Sequence, residues 1–138
     1  MVAVASRLCN AGTSAEWAYP LALVAWSECQ ELQMRPQRDF AVSVLQSFQP
    51  HDRLELVATD SAGRAVGALV CVLELADPHV GVCLSALFHF VLPKYRGRGL
   101  AGAFLRGMVR EARARDIPCI AYSHRTGPWS YNMKYRKV

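Results

Sequence analysis

A glycine-rich turn between an apolar segment and an amphipathic one is the part of the sequence best suited to chemistry. It reads Arg96-Gly97-Arg98-Gly99-Leu100-Ala101-Gly102. Three glycines without Cβ atoms let consecutive backbone N–H groups converge on one point. Together with the positive end of a following helix and two arginines, these groups predict an anion site that suits a pyrophosphate better than a single carboxylate.

Two common phosphate-binding motifs do not fit this turn. The Gly-Lys-Ser/Thr sequence of the P-loop is missing. A dinucleotide fingerprint requires an acidic residue on a further parallel strand, whereas the strands predicted before this turn form an antiparallel meander. The pattern therefore predicts a phosphorylated ligand of another kind.

Charge is distributed unevenly along the 138 residues, whose formal net charge is +5. Residues 1–92 contain five Lys/Arg and nine Asp/Glu, whereas residues 93–138 contain eleven Lys/Arg and two Asp/Glu. The positive excess begins at the glycine-rich turn and indicates an anionic partner, either a phosphorylated ligand or a nucleic acid. Few aromatic residues accompany the charge and no nucleic-acid motif occurs, so a nucleic-acid-binding module is the less favoured alternative.

Hydrophobic periodicity predicts the elements that precede the turn. Residues 1–8 alternate weakly as a first strand. A helix over residues 14–32 follows, in which Pro20 shifts the start or kinks the axis. Pro36 opens a second helix. Next comes an antiparallel meander, whose strands cover residues 52–58, 65–75 and 82–92.

The elements after the turn complete a mixed α/β sheet. A helix begins at the turn and presents an apolar stripe that includes Ala101, Leu105, Met108 and Ala112. A parallel strand over residues 117–124 and a final strand over residues 130–138 follow. Because the strand over residues 82–92 is apolar on both faces, we expect it between the strands over 65–75 and 117–124. No linker or repeat interrupts the chain, which predicts a single domain over residues 1–138.

The turn resembles the main signature of the GNAT N-acetyltransferase family, Arg/Gln-x-x-Gly-x-Gly/Ala, which this sequence supplies as Arg96-Gly97-Arg98-Gly99-Leu100-Ala101. The family's lead-in, a strand ending in Val-x-Pro-x-Tyr, is present as Val91-Leu92-Pro93-Lys94-Tyr95. The element order resembles the family's over nearly the whole chain, and the motif identity covers residues 88–112. The short C-terminal region is similar to compact GNAT-like proteins encoded by tailed phages.

This resemblance implies transfer of an acetyl group from acetyl-CoA to a small-molecule or peptide amine by direct attack. Backbone amides would hold the pyrophosphate at Arg96, Gly97, Arg98, Gly99, Leu100, Ala101 and Gly102. The pantetheine arm would pair with a strand end formed by His89, Phe90 and Val91. The amide of His89 would polarise the acetyl carbonyl and stabilise the oxyanion that develops during attack.

Two catalytic groups that the family commonly uses have no counterpart here. The resemblance assigns Ser85 to the position of a glutamate base, and residues 78–110 contain no Asp or Glu. Residues 125–129 are too few for the helix that carries the family's proton-donating tyrosine. His124, at the end of a strand beside the expected cleft, is the candidate catalytic base, and Tyr131 is a candidate acid.

These departures leave a second function open, that of a catalytically degenerate GNAT-like structural or interaction protein. Its partners would be other proteins of an assembly, such as a phage virion. The longest uncharged apolar run, residues 65–73, is too short for a bilayer, and no signal peptide is evident, which indicates a cytoplasmic protein without a membrane partner. Five cysteines without a CxxC pair indicate neither a metal site nor a disulfide framework.

Overall fold

Six strands lie side by side in the order in which they occur along the chain. The computed structural model describes all 138 residues. The strands are β1 (Ala3–Cys9), β2 (Arg53–Thr59), β3 (Ala65–Asp77), β4 (Gly81–Val91), β5 (Cys119–Gly127) and β6 (Ser130–Lys137). Neighbouring strands are antiparallel except β4 and β5, which are parallel. The predicted mixed sheet is confirmed, and β4 lies between β3 and β5 as expected.

Three helices cover the two faces of this sheet, namely α1 (Tyr19–Glu28), α2 (Gln37–Phe48) and α3 (Leu100–Ala114). One face packs against α3 in what we call the α3 core, which includes Leu56, Leu69, Leu84, Phe104 and Ile120. The other face packs against α1 and α2, where Val70 and Phe88 meet Phe48. None of the helices combines the length and the apolar composition that crossing a membrane requires.

The first predicted helix is shorter than its sequence pattern. It begins at Tyr19 rather than Ser14, and a 3₁₀ turn over Glu16–Ala18 precedes it. Pro20 occupies the first turn of α1, where its missing N–H has no hydrogen bond to lose. The helix ends at Glu28 because Cys29 is extended, and the remaining residues form a separate 3₁₀ helix over Gln30–Met34.

A buried arginine joins β2 to the segments around it. Arg53 is fully buried, and its Nε donates to Glu55 Oε2 at 2.8 Å. Its Nη1 donates to the carbonyl of Phe48 at the end of α2, and its Nη2 donates to the carbonyl of Thr13 before α1. Glu55 also accepts a hydrogen bond from Arg7 Nε on β1 at 2.6 Å. One side chain thus ties the end of α2 and the segment before α1 to the sheet.

Replacing Arg53 tests this anchor. We expect Arg53→Met to lower the free energy of unfolding by about 3–5 kcal/mol, because it leaves the Glu55 carboxylate buried with less compensation. The matched control is Arg64→Met, which breaks an ion pair whose arginine side chain is 80% exposed and should change stability by less than about 1 kcal/mol. Urea denaturation measures both values. Equal stability of the two variants would contradict the anchoring role.

Candidate functional site

The sheet opens between its two parallel strands. β4 and β5 pair at two positions, Leu84 with Ile120 and Ser85 with Ala121. β4 nevertheless continues to Val91 and β5 to Gly127. The two strands therefore diverge beyond Ser85 and leave a wedge-shaped opening in the middle of the sheet.

The divergence exposes the edge of β4 to this opening. The N–H of Leu92 donates to the carbonyl of Val66, so Leu92 points its backbone groups toward the β3 side. Orientation alternates along an antiparallel strand, so the amides of His89 and Val91 point away from β3 and into the wedge. They are backbone donors on an edge without a partner strand.

A cavity of about 790 Å³ occupies the opening. This volume lies within the range of small-molecule sites. Most of its lining is apolar, and its polar side chains are Glu28, Cys29, His89, Tyr95, Arg96, Ser123, His124, Arg125 and Tyr131. The cavity thus joins the predicted glycine-rich turn, the end of β4 and the end of β5.

The glycine-rich turn supplies a run of free amides at one end of the cavity. Gly97 and Gly99 have φ angles of +77° and +80°, in the left-handed region that favours glycine. Gly99 is the residue that precedes α3. The backbone N–H groups of residues 97–102 donate no hydrogen bond within the protein. They also lie at a helix N-terminus, so this turn can accept an anion.

The sequence predicts that both arginines of the turn help to bind the anion, but in the structure both have contacts within the protein. Arg96 directs Nε to the carbonyl of Val91 at 2.9 Å, and its two Nη atoms to the carboxylate of Glu28 at 3.0 and 2.6 Å. Its guanidinium also lies 5.3 Å from the ring centre of Phe90. Arg98 stacks over Tyr95. The anion-binding capacity of the turn therefore rests on its backbone rather than on Arg96.

The two predicted histidines lie on the α3 side of the sheet. The ring of His89 packs edge-on against Phe104 at 6.0 Å, and burial lowers the pKa of this imidazole. Ile120 and Tyr122 pack into the α3 core, and side chains alternate along a strand, so His124 belongs to the same face of β5. His124 is exposed and lines the cavity.

A single carboxylate holds the β5–β6 hairpin on the opposite face. Glu31 accepts hydrogen bonds from Arg125 at 2.7 and 3.1 Å, from the Tyr131 hydroxyl at 2.5 Å and from the N–H of Trp129 at 3.1 Å. The Arg125 and Tyr131 donors hold the pKa of Glu31 well below its usual range. Burial and the hydrogen bond to Glu31 raise the pKa of Tyr131 to about 12.

Comparisons with known proteins find matches among solved structures only. No protein-family model matches the sequence, and no curated protein matches it. Among solved structures, a ribosomal-protein-alanine N-acetyltransferase from Brucella melitensis biovar Abortus 2308 superposes with a TM-score of 0.61, covering 91% of this chain and 83% of its own at 22% identity. A GNAT-family acetyltransferase from Staphylococcus aureus Mu50 superposes with a TM-score of 0.58, covering 89% of this chain and 74% of its own at 12% identity. This chain has the GNAT fold.

A third GNAT-like structure contains a ligand related to CoA. AAC(6′)-Iy, in complex with the bisubstrate analogue CoA-S-monomethyl-acetylneamine, superposes with a TM-score of 0.54 at 18% identity. The match covers 90% of this chain and 81% of that one. Structural matches at identities this low establish the fold alone. The activity of this chain must therefore be inferred from its own residues.

The departures from the GNAT pattern are visible in the structure. Ser85 is buried, at the point where β4 still pairs with β5. β5 and β6 are joined directly, with Arg125 opposite Tyr131 in a hairpin and no helix between the strands. Instead, the hairpin is fixed by the hydrogen bonds that Glu31 accepts from Arg125, Trp129 and Tyr131, which we call the Glu31 clasp.

Two carboxylates near the cavity are not among the residues that the sequence motifs predict, because the resemblance places the expected acid on β4. Glu28 and Glu31 reach the site from the end of α1 and the 3₁₀ helix after it. Glu28 had a local signal, since a charged residue shares the helical stripe of Leu21 and Ala25, which are buried. Glu31 had none, because its partners lie 94 to 100 residues away in the sequence.

Removing the Glu31 carboxylate should change the titration of Tyr131. We expect Glu31→Gln to lower the pKa of Tyr131 from about 12 toward the ordinary value of about 10, because the charged acceptor is lost. The ultraviolet absorbance of tyrosinate, followed against pH, measures this pKa. The Tyr131→Phe variant shows which part of the titration curve belongs to Tyr131. Because the pKa of Tyr131 is raised in the folded state, its contribution to stability is complete below about pH 10. This contribution is lost as the pH rises toward about 12. An unchanged titration would contradict the Glu31 clasp.

Proposed function

We propose that this chain is an acetyl-CoA-dependent N-acetyltransferase that acts as one domain over residues 1–138. The observation that carries the proposal is the combination of two sets of free backbone donors on one cavity. One set is the run of unpaired amides over residues 97–102. The other is the unpaired edge of β4 beyond Ser85. The first suits a diphosphate and the second suits an extended amide-containing chain.

The turn fits the pyrophosphate of CoA. Six consecutive amides without internal partners would be satisfied by phosphate oxygens at the positive end of α3. Space above Gly97 and Gly99 is open, with no atom within 4 Å of where a Cβ would lie. We assign pyrophosphate binding to the amides of Gly97, Arg98, Gly99, Leu100, Ala101 and Gly102. The amide of Arg96, expected to share in this binding, instead donates to the carbonyl of Pro93 at 3.2 Å.

The strand edge fits the remainder of the cosubstrate. When bound, acetyl-CoA supplies the acetyl group as an activated thioester. We assign the pairing of the pantetheine arm to the backbone of His89, Phe90 and Val91. The inward-facing N–H of His89 would then donate to the thioester oxygen, where negative charge develops as an amine attacks directly.

His124 is the proposed proton acceptor for the acceptor amine. It is exposed on the cavity wall at the end of β5, and an imidazole can take a proton near neutral pH. Tyr131 is a weaker candidate for a proton donor, because its hydroxyl already donates to Glu31. We therefore assign Tyr131 a structural role in the Glu31 clasp.

A degenerate interaction protein is the second candidate. The direct β5–β6 hairpin favours it, and the resemblance adds that Ser85 stands at the position of the family's glutamate. In that case the cavity binds CoA weakly or not at all, and the partners are proteins of an assembly such as a virion. Binding of acetyl-CoA separates the two functions.

Calorimetry with acetyl-CoA tests the pyrophosphate site. We expect the wild type to bind and Gly99→Asp to lose affinity by about tenfold or more, because a carboxylate about 4 Å from a phosphate charge costs about 1 kcal/mol in water and more in a partly buried site. Gly99→Asn separates charge from steric effects. Gly81→Asp controls for backbone strain, since Gly81 has a φ of +79° in a turn at the opposite end of β4. Equal affinity of wild type and Gly99→Asp would refute the assignment.

Steady-state rates test His124. With a panel of polyamines, aminoglycosides and peptide amines, we expect His124→Ala to reduce kcat by about a hundredfold or more at neutral pH, as loss of a general base does. His51→Ala, a histidine outside the cavity lining, is the control. Release of CoA thiol measures the rate from about pH 6 to about pH 10. A His124→Ala rate equal to that of wild type would show that the amine loses its proton to water or before binding.

A further inference from the structure

One part of the cavity lining is formed by apolar side chains from α1, the 3₁₀ helix after it, α2 and the middle of β4. We call these residues the apolar wall, and they are Ala25, Leu32, Phe40, Val44, Leu87 and Phe88. Ala25 and Val44 are buried, and Phe88 packs edge-on against Phe48 of α2 at 5.7 Å. Because the wall is part of the packed interior at its base, its shape is set before a ligand binds.

Leu87 reaches the cavity at a bulge in β4. Ala86 lies opposite Cys71 on β3. The next pair joins Phe88 and Val70, so Leu87 has no partner on that strand. A bulge of this kind changes the direction of a side chain relative to the regular alternation of the strand. Leu87 lines the cavity and is nevertheless 42% exposed, so much of a leucine side chain is open to a ligand.

The carboxylate and the two guanidinium groups of the lining are already paired within the protein. Arg96 donates from both Nη atoms to Glu28, the one carboxylate of the lining. Arg125 donates twice to Glu31. A second ammonium group on a ligand would lose its hydration in this cavity and meet no unpaired carboxylate, which is costly. The lining therefore favours a ligand portion that is uncharged and apolar.

The position of Leu87 and Phe88 along β4 indicates which ligand portion they contact. The proposed cosubstrate runs from the turn after β4 back along residues 91–89, with its thioester at the His89 amide. Phe88 and Leu87 are the next residues along the strand, each about 3.3 Å further from the turn. They therefore lie beyond the thioester, on the side away from the pyrophosphate. The space beside them is left for the molecule that attacks the thioester carbon.

We propose that the apolar wall binds the body of the acceptor, and that the acceptor is a primary amine on an uncharged aliphatic or aromatic skeleton. The inference rests on the proposed acetyltransferase function. Burial of the skeleton against the wall supplies the binding free energy, and the amino group points from it toward the thioester. Leu87 is in this sense a specificity-determining residue that contacts the substrate.

Calorimetric titration of n-butylamine, n-hexylamine and pentane-1,5-diamine tests the proposal. Each amine is titrated into the protein alone and into the protein saturated with CoA, which cannot transfer an acetyl group. We expect n-hexylamine to bind about tenfold more tightly than n-butylamine, because each buried methylene group raises affinity by up to about fourfold. Pentane-1,5-diamine has as many heavy atoms as n-hexylamine but ends in a second ammonium group. It should bind at least about tenfold more weakly than n-hexylamine.

A matched pair of variants assigns the preference to the wall. In Leu87→Asn, the preference for n-hexylamine over n-butylamine should fall to about threefold or less, because a polar group replaces apolar contact area, while CoA affinity is retained. Leu75→Asn makes the same change at a leucine that is 39% exposed and lies outside the cavity lining, and it should keep the full preference. In turnover, Leu87→Asn should raise KM for n-hexylamine by about fivefold and leave kcat nearly unchanged. Survival of the full preference in Leu87→Asn, or its loss in Leu75→Asn, would overturn the role of Leu87.

A longer acyl chain on CoA is the alternative occupant of the apolar wall, and titration of hexanoyl-CoA tests it. We expect hexanoyl-CoA and acetyl-CoA to bind the wild type with affinities within about threefold of each other, since the acyl chain does not reach the wall. Tighter binding of hexanoyl-CoA by about tenfold or more, without an effect of amine chain length, would assign the wall to the donor and overturn the proposal.

The outcomes also separate this proposal from the proposed function. Failure of the wild type to bind acetyl-CoA would sink the acetyltransferase assignment, and the amine titrations without CoA would still report on the apolar wall. Binding of acetyl-CoA together with equal affinities for n-butylamine and n-hexylamine would overturn the apolar acceptor and leave acetyl transfer standing.

Discussion

The divergence of β4 from β5 is the constraint on which the candidate site depends. Parallel neighbours in a continuous sheet satisfy each other's backbone groups, but here the ladder ends after Leu84 and Ser85. The remaining edge of β4 keeps unpaired donors at His89 and Val91, in the middle of the sheet rather than at its rim. The cavity follows from the same separation, whereas the free amides of the turn follow from its position at the N-terminus of α3.

The separation needs support from outside the two strands, and the end of α1 provides it. Glu28 bonds Arg96, which follows β4, and Glu31 bonds Arg125 at the end of β5. The short segment between these carboxylates therefore spans the opening and holds both sides of it. In the absence of a helix between β5 and β6, the Glu31 contacts fix the hairpin that forms one wall of the cavity.

The support is effective because α1 is itself anchored. Arg53, at the start of β2, bonds the end of α2 and the segment that precedes α1, and Leu21 packs against Val57 and Ala68. A buried charge is tolerated at Arg53 because Glu55 and two carbonyl groups satisfy its guanidinium. Glu28 thus projects from the end of a fixed element, and Glu31 projects from the 3₁₀ helix that follows it.

The sequence by itself determined the order of the elements, most of their boundaries and the turn before α3, because hydrophobic period, proline and glycine act over a few residues. It also indicated that β4 is central, since a strand apolar on both faces must be covered twice. The tertiary structure alone decided that Arg96 faces Glu28, 68 residues away, and that Glu31 meets Tyr131, 100 residues away. Such pairs leave no local pattern, because each charged residue taken alone resembles a solvated surface residue. The fold brings them together only when the strands separate and α1 packs across the gap.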